Sequence, residues 1–84
     1  MQDYSKPIGK VLRQLRERAG YTQADIAQKM GMSYQMIQKY EAGRSGITVD
    51  RLTDFANIYR MSLQHLVRLI IEAKVDRDNK EKMF

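Results

Sequence analysis

Residues 22–43 read "TQADIAQKMGMSYQMIQKYEAG", and their punctuation sets two short helices beside each other. Thr22 is an N-cap residue, and Asp25, three positions on, is an acidic partner of capping-box type. Ala24, Ile26, Ala27 and Met30 line the helix that follows, and Gly31 ends it because glycine takes a left-handed C′ position cheaply. Ser33 caps a second helix over 34–42, which Gly43 closes. Ile37 and Tyr40 lie on one side of this helix, with Met36 at the edge. At about 100° per residue, Tyr34, Gln35, Gln38 and Lys39 share the opposite face. A purely solvated face would more typically carry Glu and Lys, yet this one has no carboxylate before Glu41.

A short helix, the tight turn "GMS" and a second short helix with a polar outer face make the layout of a helix-turn-helix. Such a helix fits the major groove of B-DNA, where Gln pairs with adenine and Lys reaches guanine acceptors. The Tyr ring can touch a thymine methyl or a phosphate. A carboxylate on that face would repel phosphates, which gives the missing acidic residues a physical sense.

Working outward, the remaining punctuation predicts three more helices. Ser5 is a cap for the first, with Pro7 in its opening turn, where a missing N–H costs nothing. Ile8, Val11, Leu12, Leu15 and Ala19 form its apolar stripe, and Gly20 stops it. Thr48 caps the fourth helix, striped by Val49, Leu52, Phe55, Ala56 and Tyr59. Ser62 caps the fifth, with Leu63, Leu66, Val67, Ile70 and Ile71. No segment alternates with period two, so no strand is predicted. The fold class is therefore all-α, with five short helices. Residues 1–71 form the helix-turn-helix domain. Residues 72–84 form a charged tail, in which Asp76 with Lys80 and Asp78 with Lys82 have favourable i, i+4 spacing. The fifth helix can extend into this tail; a frayed end is the competing reading.

Composition bounds the function. The 84 residues, 43% hydrophobic and 30% charged, suit one domain that buries about 60–65% of its unfolded surface. There is no cysteine, so disulfides and thiolate metal sites are excluded. The polar start "MQDYSKPIGK" lacks a signal peptide's apolar stretch, and "LVRLII" is too short for a bilayer. The expected location is the cytoplasm, with no membrane association. Net charge is +5, and the excess lies in residues 1–44, with eight basic and four acidic side chains, against seven and six in residues 45–84. A basic bias in one half fits a polyanion, with nucleic acid ahead of a membrane surface.

The run "LRxxRxxxGxTQxxIAxxMG" from Leu12 to Gly31, followed by "SxxxIxxYExG" from Ser33 to Gly43, resembles the lambda-repressor/Cro-like helix-turn-helix family, often called the XRE family. The resemblance covers residues 8–67. One departure is Ile47, at a position where the family frequently has Pro. The resemblance implies a lambda-repressor-like domain that binds double-stranded DNA. It implies that Gln23 bonds a phosphate and braces the recognition helix. Ser33, Tyr34, Gln35, Gln38 and Lys39 match positions that reach bases or flanking phosphates, and Arg44 matches one that often touches the backbone. Arg16 and Glu41 match a structural salt bridge. Charge supports that pairing independently, since Glu41 beside DNA needs a neutralising cation.

Other chemistry finds no support. His65 has no partner for a metal site and reads as a surface residue, and the Met residues read mainly as gap-fillers. No nucleophile–base arrangement, carboxylate pair or phosphate loop can be assembled, so no enzyme, cofactor, metal or small-molecule ligand is expected. One recognition helix reads few base pairs, so a homodimer on an inverted-repeat operator is expected. Leu69 and Val75 widen the apolar sector of the fifth helix, and Leu66, Leu69 and Ile70 are the candidate dimer interface. The expected function is a repressor-type transcriptional regulator, bacterial or phage-encoded: a phage repressor, a restriction-modification controller or an antitoxin. The alternative is a protein-interaction adaptor that uses the same fold.

Overall fold

Four of the five helices begin where a hydroxyl side chain can accept a backbone N–H. In the computed structural model, which describes residues 3–82 and side chains as far as residue 81, α1 spans Ser5–Ala19, α2 Gln23–Met30, α3 Tyr34–Glu41, α4 Val49–Ile58 and α5 Leu63–Lys82. Thr22 accepts from Asp25 N while Asp25 accepts from Thr22 N, a reciprocal capping box. Those bonds hold the Asp25 carboxyl below the usual carboxylate range. Ser33, Thr48 and Ser62 accept from Met36, Arg51 and His65 N, at 3.2, 3.1 and 3.0 Å. The first helix differs from its sequence reading. Ser5 is the first helical residue and caps nothing; Asp3 accepts its N–H at 2.9 Å, a bond that lowers the Asp3 pKa.

Each helix sends one side chain to the centre. Leu12, Ile26, Ile37, Phe55 and Leu66 come from α1 to α5 in turn, and all are fully buried. α1 packs on both α3 and α5, α2 on α3 and α4, and α4 on α5. Tyr40 meets Phe55 edge-on, with ring centroids 6.0 Å apart at 84°. Ile47 packs against this core from the loop before α4, so the loop is anchored there without a proline. Gly31, at φ 64°, makes the turn between α2 and α3; no atom crowds it, so the backbone angle is what requires glycine. α4 ends without glycine, on Arg60 at φ 56°.

Several apolar side chains lie elsewhere than their stripes implied. Ala24 and Val49 are exposed, because each sits in the first turn of its helix, ahead of the packed part. On α5, Leu66 and Ile70 are buried in the core of a single chain, and Leu69 packs against it. Leu66 and Ile70 therefore hold α5 to its own domain and offer no free surface to a second copy, while Leu69 is half-buried beside them. The exposed apolar edge is Val67, Ile71 and Val75, at 36%, 47% and 50%. α5 continues as helix through the charged segment, held by Lys74–Asp78 at 2.7 Å and Arg77–Glu81 at 3.4 Å in place of Asp76–Lys80. The Lys82 side chain, proposed partner of Asp78, lies outside the described residues. Among the described residues no helix is long and apolar enough to cross a membrane.

α1 approaches α3 through Gly9, which is buried mid-helix. A Cβ there would stand 2.5 Å from the Tyr40 carbonyl oxygen and 2.6 Å from that of Glu41. Helix propensity alone favours alanine over glycine by about 1 kcal/mol. Backbone atoms cannot yield as a flexible side chain can, so overpacking should win. Gly9→Ala should lower the unfolding free energy by about 1–3 kcal/mol in urea titrations; a gain in stability would show that α1 slides freely on α3.

Candidate nucleic-acid interface

α3 is held from below by Ile37 and Tyr40, both buried, and so presents Gln35, Gln38 and Lys39 outward. These three share a shallow concavity with Gln23 from α2, Arg44 from the loop after α3 and Arg13 from α1. Five of the residues expected to contact DNA thus come together. Tyr34, 44% exposed, and Ser33 stand at the N-terminal end of α3 and are not among the residues lining the concavity. The Ser33 oxygen already serves as the cap of α3.

Glu41 organises the floor. Its carboxylate accepts from Arg16 Nε at 2.7 Å and from a second guanidinium nitrogen of Arg16 at 2.9 Å. The remaining Arg16 amino group donates to the Tyr21 carbonyl at 2.9 Å. Gln23 Nε2 adds a third donor to Glu41, at 3.1 Å. The two charged side chains are only 13% and 7% exposed. Bonding to Glu41 raises the Arg16 pKa further above its ordinary value, so the guanidinium stays charged at every working pH. Burial pushes the nearby Tyr59 phenol up to about 12, leaving it neutral.

This network neutralises the carboxylate beneath the face and leaves Lys39 and Arg44, with Arg13 at the rim, to face a partner. Gln23 has one N–H directed at Glu41 and a second available to an acceptor outside. Arg13 was missed by reading the sequence. It pairs with Glu17 at 3.2 Å, an exposed i, i+4 contact of the kind that marks an ordinary solvated helix face. The signal that could have found it is its place in "LRxxR", one turn before Arg16.

Truncating one member of the pair strands the other charge in a poorly hydrated place. Arg16→Ala and Glu41→Ala should each destabilise by about 3–5 kcal/mol, beyond the 0–1 kcal/mol of a surface pair. The double variant should lose much less than the sum of the two in a thermodynamic cycle; additive losses would show no coupling.

A helix-turn-helix family model matches residues 12–66. The chain is 32% identical over 60 residues to the HTH-type transcriptional regulator ImmR of Bacillus subtilis, covering 71% of this chain and 47% of that protein. It is 36% identical over 58 residues to an uncharacterized transcriptional regulator in the ATPase CF(0) region of Rhodospirillum rubrum, covering 69% and 54%. A putative HTH-type transcriptional regulatory protein of Thermococcus kodakarensis is 32% identical over 75 residues, 89% of this chain and 23% of that protein. The chain thus spans between about a quarter and just over half the length of these relatives. Among solved structures, the clp gene regulator ClgR from Corynebacterium glutamicum superposes with a TM-score of 0.88 over 95% of this chain and 85% of that one. At 18% identity, that likeness speaks for the fold alone.

Proposed function

The chain belongs to the XRE-type helix-turn-helix family, and from that premise we propose that it is a sequence-specific, repressor-type transcriptional regulator. It inserts the 34–42 helix in the major groove of double-stranded DNA. The observation that carries this reading is the single concavity in which Gln35, Gln38 and Lys39 meet Gln23, Arg44 and Arg13 above a neutralised Glu41. Amides there read base edges, and cations hold phosphates.

Two copies of α3 must stand about 34 Å apart to enter successive major grooves of an inverted-repeat operator. The edge formed by Val67, Ile71 and Val75, one turn apart along α5, is the surface on which a second copy docks. Leu63 continues the strip, and Gln64, Arg68 and Glu72 border it, giving a polar rim around an apolar strip, as interfaces commonly have.

Duplexes selected from a random pool by the protein should bind with strong salt dependence, and footprinting upstream of its own gene should find the same sequence. An adaptor of this fold would select nothing. Gln35→Ala should cost about 1–3 kcal/mol on the selected site and much less on random DNA. Arg44→Ala should weaken both alike and flatten the salt slope by about one unit. Equal losses on both DNAs for Gln35→Ala would remove Gln35 from readout.

The dimer is checked by sedimentation. Ile71→Glu, on a half-exposed residue, should give a folded monomer with sharply weaker operator binding. A dimer that persists would place the interface elsewhere.

A further inference from the structure

α1 carries charges that the reading face does not use. Lys6, Lys10 and Arg13 recur at i, i+4 and i+7 and so share one side of the helix. At one end the row enters the concavity through Arg13, beside Arg44. At the other, Lys6 and Lys10 line a groove between α1 and the last turns of α5, where Arg77 and Lys80 face them. The two ends are linked at Gly43, where a Cβ would stand 2.7 Å from Lys6 Cγ and 2.8 Å from Lys6 Cα. Arg44 is the next residue. Three nearby carboxylates are engaged: Glu17 by Arg13, Glu81 by Arg77 and Asp78 by Lys74; Glu72 and Asp76 lie with Lys10 on the adjoining groove between α1 and α5. Among the described residues, Lys6, Lys10 and Lys80 have no carboxylate within ion-pair distance.

We propose that this cationic track binds the phosphate backbone of the same duplex, outside the base pairs read by α3. The C-terminal turns of α5 thereby enlarge the footprint. The inference rests on the reading of α3 as the groove-inserting helix. Its occupant follows from continuity, because the track begins at Arg13 and Arg44, on the rim of that interface. Its dimensions agree: Lys6 to Arg13 covers about 10 Å of helix, the axial rise of about three base pairs of duplex. An acidic polypeptide would have no reason to continue onto the reading face.

The test compares two duplexes carrying the site selected by the wild-type protein. One is trimmed to the base pairs under the recognition helices, and the other extends about one helical turn (~10 bp) beyond on each side. In the double variant Arg77→Gln/Lys80→Gln both positions are exposed, and glutamine is a good helix former; thermal melting checks the fold. On the extended duplex the variant should bind about tenfold more weakly, and the salt slope should be shallower by about two per protomer. On the trimmed duplex variant and wild type should coincide, and preference for the selected site over random DNA should be unchanged. Lys6→Gln/Lys10→Gln, on the opposite wall, should behave in the same way. Wild-type affinity and slope in both variants on the extended duplex would overturn the proposal while leaving the reading of α3 standing. A protein that selects no duplex, and in which Gln35→Ala changes nothing, would overturn both.

Discussion

The carboxylate of Glu41 is the point on which the arrangement turns. It lies at the C-terminal end of α3, where the helix dipole disfavours negative charge, and it is nearly buried. A solvated lysine could not hold it there; a planar guanidinium that reaches both oxygens can. Arg16 comes from α1, Gln23 from the start of α2, and Arg16 also grips the Tyr21 carbonyl between them. Three helices and one loop therefore meet at a single charge. The position of α3 relative to α2 is fixed by bonds with direction as well as by apolar contact, which has none.

Direction matters because α3 is eight residues long. A helix of that length does not persist alone in water. Its geometry is borrowed from the core through Ile37 and Tyr40, and from the backbone contact at Gly9. With those in place, Gln35, Gln38 and Lys39 leave a rigid platform, and little conformational entropy beyond their own remains to be lost when they meet a partner. The same packing brings Arg13 and Arg44 to the rim, although 31 positions of chain separate them.

Much of this was legible in the sequence because it is local. A capping hydroxyl, a carboxylate three residues on and a glycine at a helix end act within one turn, so Thr22, Asp25, Ser33, Thr48, Gly20 and Gly31 could be read directly. What escaped was tertiary. A stripe on α5 states how wide the apolar sector is, not which edge meets the core. Leu66 and Ile70 therefore looked available when they are central, and Val67, Ile71 and Val75 form the uncovered edge. Ser5 resembled a cap, but the chain before α1 turns so that Asp3 takes that role. Arg13 was masked by its pairing with Glu17. The end of α4 carried no glycine signal, since Arg60 occupies the left-handed position itself. The Arg16–Glu41 pairing, 25 residues apart, came from the resemblance and from charge reasoning, since no periodicity connects the two positions.

The carboxylate caps have a consequence for acid. Asp3 and Asp25 each accept a backbone N–H at a helix start, and those bonds hold both pKa values below their unfolded values. Carboxylates of that kind contribute stability that is complete above the unfolded pKa and disappears as pH falls through the folded one. Both groups are fully exposed, so protons reach them while the core is intact. Acidification through those folded values therefore weakens the starts of α1 and α2. Since Gln23 is the first residue of α2, the weakened cap at Thr22 and Asp25 lies beside the binding surface.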